Sequence, residues 1–216
     1  MEKLNPWIAI RAEDYDLHMD HPLVSQLGML GAITKSQFKS IPMDGRSTAL
    51  VAILGITNGN GLEHIAPLGI GHVCGIDVNP KFLAVCRQRH ANLGDRLVLH
   101  CMDMVAEKDR AREAIADADL VIANLVVEHI HLHHFMAIIR EQPKSCRISC
   151  VVQHNPDGLL CTKSGLESIF DDVLPMMETV DIDRLTRAMA SQGRLLALRE
   201  EYVLPNKKVF IRLDYQ

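Results

Sequence analysis

The 216-residue sequence predicts an α/β fold built on a doubly wound, mostly parallel sheet, and three observations carry that prediction. Short apolar runs alternate with helical stretches between residues 49 and 177. A glycine-rich turn follows the first apolar run. Near its end the chain changes style, and two β-rich runs flank a turn, as an antiparallel β-hairpin requires.

Residues 1–46 hold no comparable strand pattern and carry the only tryptophan, Trp7, with Tyr15, His18, Met19 and His21. Leu23, Leu27, Leu30 and Ile33 recur at helical intervals, so 22–38 is expected to be an amphipathic helix despite Gly28 and Gly31. This segment is read as an N-terminal helical lid, and 47–216 as the main domain, the two making one compact unit. Strands are expected near 49–54, 72–76, 96–101, 119–124 and 146–152. Helices are expected near 60–68, 80–92, 107–116, 130–140, 164–177 and 181–192. Asn79-Pro80 is a helix start, with Asn as N-cap and Pro where its missing N–H costs nothing. Residues 195–204 and 209–215 flank the turn Pro205-Asn206-Lys207-Lys208 and form the hairpin.

The run Ala49-Leu50-Val51-Ala52-Ile53-Leu54-Gly55-Ile56-Thr57-Asn58-Gly59-Asn60-Gly61 takes an apolar strand into a turn whose glycines allow unusual dihedrals and close backbone approach. The next strand ends at Asp77, where a carboxylate can accept hydrogen bonds from two ribose hydroxyls. A dinucleotide fingerprint wants Gly-x-Gly-x-x-Gly, and glycines at 55, 59 and 61 fit no frame of it. Leu54-Gly55-x-x-x-Gly59-Asn60-Gly61 instead resembles the first motif of class I S-adenosylmethionine-dependent methyltransferases, Asp-Leu-Gly-x-Gly-x-Gly. Two departures stand out: Ile53 replaces the usual acid, a carboxylate that commonly helps hold the methionine ammonium, and Thr57 replaces the middle glycine. The resemblance continues through Val73-Cys74-Gly75-Ile76-Asp77-Val78-Asn79-Pro80, Leu97-Val98-Leu99-His100-Cys101-Met102-Asp103-Met104 and the block from Asp119 to Ile130, covering roughly 47–216.

The resemblance implies a Rossmann-like, seven-stranded sheet whose last strand is antiparallel, and S-adenosyl-L-methionine as cofactor with S-adenosyl-L-homocysteine as product. It implies cofactor contacts from Gly55, Thr57, Asn58, Gly59, Asp77, Val78, Asp103, Met104 and Asn124, with Asp77 on the ribose and Asp103 on the adenine amino group. In such sheets ligands bind beyond the carboxyl ends of the strands, which places Glu128 and His129 after the fourth strand as candidate bases. Gln153 and His154 after the fifth strand, with Tyr15 and His18 from the lid, are the expected acceptor-binding residues. His129, His131, His133 and His134 invite a metal reading, but most of them lie off the buried stripe of their helix and no convergent ligand set is legible, so no metal is assigned.

Composition narrows the acceptor. A formal charge of −4 with dispersed Lys and Arg argues against nucleic acid. Strand four lacks the Asn-Pro-Pro-aromatic device for base amino groups, and no Pro-Cys pair is present, which leaves a small molecule as the expected substrate. Val127-Glu128-His129-Ile130 is also similar to the Leu-Glu-His stretch of small-molecule methyltransferases. A non-catalytic S-adenosylmethionine-binding regulatory module and an NAD-dependent oxidoreductase are the alternatives. Six cysteines without a Cys-x-x-Cys pair fit a reducing cytoplasm, and the absence of a long apolar run or signal-like start fits a chain without membrane association, monomeric or homodimeric. Gly59→Val is expected to abolish cofactor binding in a folded protein. Asp77→Ala is expected to weaken S-adenosylhomocysteine binding by about 1.5–3 kcal/mol; calorimetry showing unchanged affinity would remove Asp77 from the site.

Overall fold

Seven strands hydrogen-bond into one sheet in the order β3-β2-β1-β4-β5-β7-β6, in a computed structural model that describes residues 4–41 and 48–216. The strands are β1 (Leu50–Leu54), β2 (His72–Asp77), β3 (Leu97–Cys101), β4 (Leu120–Asn124), β5 (Arg147–His154), β6 (Leu196–Val203) and β7 (Val209–Tyr215). The first five are parallel, and β7 runs antiparallel between β5 and β6. The helices are α1 (Ala12–Met19), α2 (Gln26–Lys39), α3 (Pro80–Arg89), α4 (Lys108–Ile115), α5 (Val127–Ile130), α6 (Leu132–Ile139) and α7 (Ile182–Ser191). The expected boundary at 46/47 lies outside the described residues.

Successive strand side chains point to opposite faces, so each strand feeds two cores. Ala52 and Leu54 pack with Phe135, Ile139, Leu185 and Met189 of α6 and α7, whereas Val51 and Ile53 pack with Leu83 and Cys86 of α3. A third core joins Tyr15, Met19, Leu30 and Ile33 of the N-terminal segment to Phe82, Val151, Phe170 and Phe210, which seats that segment over the sheet. No helix among the described residues is long and apolar enough to cross a membrane.

Three helical expectations change. The 60–68 stretch is two 3-10 turns, Leu62–His64 and Ala66–Leu68, because Gly61 enters at φ +93° and Pro67 donates no N–H to a longer ladder. Likewise 164–177 yields only Glu167–Phe170 and Leu174–Met176, with Pro175 inside the second turn. The 130–140 helix is split from the preceding turn by His131, which adopts φ +62° between α5 and α6. Helix α1 had no clear sequence signal, since its buried face combines Ala12, Tyr15, His18 and Met19 with little apolar periodicity.

Gly59 and Gly61 owe their identity to packing as well as to dihedrals. A Cβ on Gly59, at φ +82°, would lie 2.7 Å from Cys86 Sγ and 2.8 Å from the His90 ring. One on Gly61 would lie 2.7 Å from Thr34 of α2. The loop is thus wedged between α3 and the N-terminal segment, and the expectation that Gly59→Val spares the fold is corrected. The variant is predicted to lose about 2–4 kcal/mol of stability, combining left-handed strain with overpacking. A urea unfolding midpoint equal to that of the parent would refute this.

Candidate active site

Register brings the site together at the carboxyl edge of the sheet. Leu54 pairs with Ile76, so the loop after β1 starts beside the end of β2, with Gly55 N–H donating to Ile76 O at 2.8 Å. Asn124 pairs with Val151, which sets the turn after β4 beside the end of β5. Between these edges and the N-terminal segment lies a cavity of about 440 Å3.

At one end stands Asp77, only 5% exposed. Its Oδ2 accepts from Thr57 N–H and its Oδ1 from Asn79 N–H, each at 2.9 Å. A carboxylate offers about four lone-pair positions, so each oxygen retains capacity for one more donor. Burial outweighs these hydrogen bonds and lifts the Asp77 carboxyl to about 6. Thr57 reaches the required turn at φ +48°, doing with a side chain what glycine does in the resembling motif. The Tyr15 hydroxyl meets Thr57 beside Asp77, and burial followed by that carboxylate pushes its ionisation upward. Asp103 turns Oδ1 to Val105 and Ala106 N–H and accepts from the Asn5 carboxamide at Oδ2, 2.8 Å away. Val78, Met102, Met104 and Gly55 complete this end. A buried carboxylate with a spare lone pair on each oxygen and an apolar slot beside it fit a nucleoside with a vicinal diol.

At the other end Glu128 is 4% exposed, with Oε1 accepting from Gln153 N–H at 2.8 Å and Oε2 buried without a partner. Burial raises its carboxyl to about 7, against the pull of the Gln153 hydrogen bond. His129 stands edge-on to Trp7, ring centroids 4.9 Å apart. Burial, then His131, lowers its pKa to about 4, so the ring is neutral at pH 7, with Nδ1 also unpartnered. Gln153 accepts from Gln26 Nε2 at 2.8 Å. His18 lies against Phe170, with Nδ1 2.7 Å from Ser164 Oγ.

Gly55, Thr57, Asp77, Val78, Asp103, Met104, Asn124, Glu128, His129, Tyr15, His18 and Gln153 all line this cavity. Three expected residues do not. Asn58 is buried behind the loop, donating to Ala12 O and Asp16 Oδ1, and Gly59 faces α3. His154 is exposed outside the cavity, because β5 alternates and its neighbour Gln153 takes the inward position. Tyr15 belongs to the Asp77 end, while His18 belongs to the far end. Asn124 lines the cavity, yet its carboxamide is committed to Gln37 in both directions, at 2.9 and 3.0 Å. Gln37 escaped sequence reading, as did Asn5 and Phe170: a polar residue inside a helix, a cap before a short turn and an aromatic closing a 3-10 turn announce no distant partner.

Carboxamides fasten the N-terminal segment over this cavity. Asn79 donates to Trp7 O at 2.8 Å and Ile10 O at 2.9 Å while its Oδ1 caps α3 through Lys81 N–H, and Asn60 donates to Leu27 O at 2.9 Å. Asn79→Asp keeps the cap but replaces both donors with a carboxylate facing two carbonyls, so it is predicted to release residues 5–11 at a cost of about 2–3 kcal/mol. Because Trp7 is the sole tryptophan, a red shift and stronger acrylamide quenching report the release; an unchanged spectrum would contradict it.

Residues 51–147 match the sequence family described as a methyltransferase domain. No curated protein sequence matches the chain significantly. The fold is similar to magnesium protoporphyrin IX methyltransferase from Synechocystis PCC 6803 with bound SAH, at 16% identity and TM-score 0.60, covering 86% of this chain and 82% of that one. It is similar to geranyl diphosphate methyltransferase in complex with GPP and sinefungin, at 12% identity and TM-score 0.64, covering 90% and 81%. A third, an S-adenosylmethionine-dependent methyltransferase from Mesorhizobium loti, gives 12% identity and TM-score 0.59, covering 83% and 95%.

Proposed function

We propose, from the methyltransferase-domain match over residues 51–147 and the shared fold, that the chain is a class I, S-adenosylmethionine-dependent methyltransferase that transfers the methyl group to a small molecule enclosed beneath the N-terminal segment. The observation that carries this reading is the continuous cavity running from Asp77 to Glu128, roofed by Trp7 and Tyr15 and therefore accessible to small acceptors rather than to a nucleic-acid strand. Asp77 would hold the ribose and Asp103 the adenine edge, with Met102 and Met104 flanking the base. Ile53, 7% exposed in the core, offers no carboxylate, so the loop backbone at Gly55 and Thr57 would take the amino-acid tail.

When bound, the cofactor supplies an electrophilic methyl carbon on a sulfonium. The chain's part is to align the acceptor, exclude water and accept a proton. Glu128 is suited to accepting that proton, because its carboxyl is raised to about 7, its Oε1 is fixed by Gln153 and its Oε2 faces no protein donor. His129 would orient the acceptor as a neutral ring. The experiment is release of S-adenosylhomocysteine with a panel of small amines, phenols and carboxylates, run beside RNA and protein substrates. Turnover confined to small molecules is expected. Since the carboxylate is the proton-accepting form, the rate should climb as pH rises through about 7. Glu128→Gln should lower kcat by roughly 100-fold and flatten that rise. Turnover on RNA or protein alone would overturn the small-molecule reading.

A further inference from the structure

The charge of the cavity goes further than its shape. Among the described residues that line it there is no lysine or arginine, whereas Asp77, Asp103, Glu128 and Glu178 all contribute carboxylates. The histidines do not reverse this, because burial lowers the pKa of His18, His129 and His134, and His131 sits with Nδ1 3.0 Å from Glu178 Oε2. The nearby Lys208 ammonium is turned to Leu159 O and Leu160 O, at 2.5 and 3.0 Å. A carboxylate or phosphate on the acceptor would enter without a cationic partner and against fixed negative charge, which is strongly unfavourable in a desolvated site.

The carboxylates also differ in how they are occupied. Asp77 and Asp103 accept hydrogen bonds at both oxygens, and Glu178 has His131. Glu128 Oε2 is the one buried carboxylate oxygen without a partner among the described residues. A buried acceptor left unmade is costly, and a charged one more so, unless a ligand donates to it. The cavity that Glu128 lines is also walled by aromatic rings: Trp7 packs edge-on against His129 and, at 6.0 Å between centroids, against Phe170. Aromatic rings beside an unpaired carboxylate suit an ammonium group on an apolar body.

We propose, resting on the methyltransferase reading, that the acceptor is an amine with an apolar body, whose nitrogen is held at Glu128 Oε2 and becomes the methylated atom. The ammonium gives one proton to the Glu128 carboxylate, leaving a neutral amine. Its lone pair forms the new N–C bond as the C–S bond of the sulfonium donor breaks, the electron pair staying on sulfur. The product is a secondary ammonium and a neutral thioether, and the proton leaves Glu128 as the product departs. Removing the acceptor's charge before transfer also avoids placing two cations side by side.

Binding to the full chain saturated with S-adenosylhomocysteine tests this without turnover, using 2-phenylethylamine, 2-phenylethanol and 3-phenylpropionate as matched probes in calorimetry. The amine is expected to bind at least about tenfold tighter than the alcohol, and the carboxylate not at all. In Glu128→Gln, where the amide oxygen can still accept from Gln153, that preference should vanish while S-adenosylhomocysteine affinity stays within about twofold. The amine assignment is overturned if the carboxylate binds as well as the amine, if none of the probes binds, or if the preference survives the substitution. Loss of S-adenosylhomocysteine affinity with the amine preference intact would instead give Glu128 to the cofactor. Failure of S-adenosylhomocysteine to bind the parent protein would strike the underlying methyltransferase reading and not the choice of acceptor.

Discussion

Everything at the carboxyl edge depends on asparagine side chains that donate to backbone carbonyls of the helical N-terminal segment. Buried carbonyls need donors, whether they lie in a helical first turn or between helices. Here Asn79 serves Trp7 and Ile10, Asn58 serves Ala12, and Asn60 serves Leu27. Each donor sits on a loop or cap that the sheet itself positions, so the roof and the floor of the cavity are fixed relative to one another. The pairing of Gln37 with Asn124 and Ser149 extends the same device to α2, and Ser149 passes it on to Asp214 and the buried Arg212. A polar network of this kind is favourable when its members are matched, and here it ties the lid to β4, β5 and β7.

That enclosure sets the electrostatics. Removing water from Asp77 and Glu128 raises both carboxyls, and removing it from His129 depresses the imidazole, so burial separates an acid near neutrality from a base that stays uncharged. The two ends differ in what compensates the desolvation. Asp77 is braced by two backbone N–H groups, whereas Glu128 has one, from Gln153. The first arrangement engages both oxygens of Asp77, and the second leaves Glu128 Oε2 without a protein partner.

The two departures from the methyltransferase motif have different physical meanings. Thr57 is conformational: it occupies the left-handed region, and its N–H still reaches Asp77. Ile53 is chemical: it adds to the apolar core with Leu83 and Ile122, and it leaves the loop without a carboxylate. The fold tolerates both because the geometry of the turn rests on register with β2 and on the packing of Gly59 and Gly61, rather than on either side chain.

Sequence by itself determined the strands, the hairpin and the placing of the Gly55 loop beside Asp77 at the carboxyl edge of the sheet, because these rest on period-two apolar runs and turn chemistry that act locally. It also determined that Glu128 and His129 follow the fourth strand. Tertiary structure alone decided which side of each loop faces the cavity. Asn58 and Gly59 lie in the motif yet serve packing, and His154 is turned out by the alternation that turns Gln153 in. Contacts such as Asn5 with Asp103 or Gln37 with Asn124 join residues 98 and 87 positions apart, and no local pattern encodes a partner at that distance. Burial is collective in the same way, so the shift that distinguishes Glu128 from an ordinary surface glutamate arises only once the whole chain is packed around it.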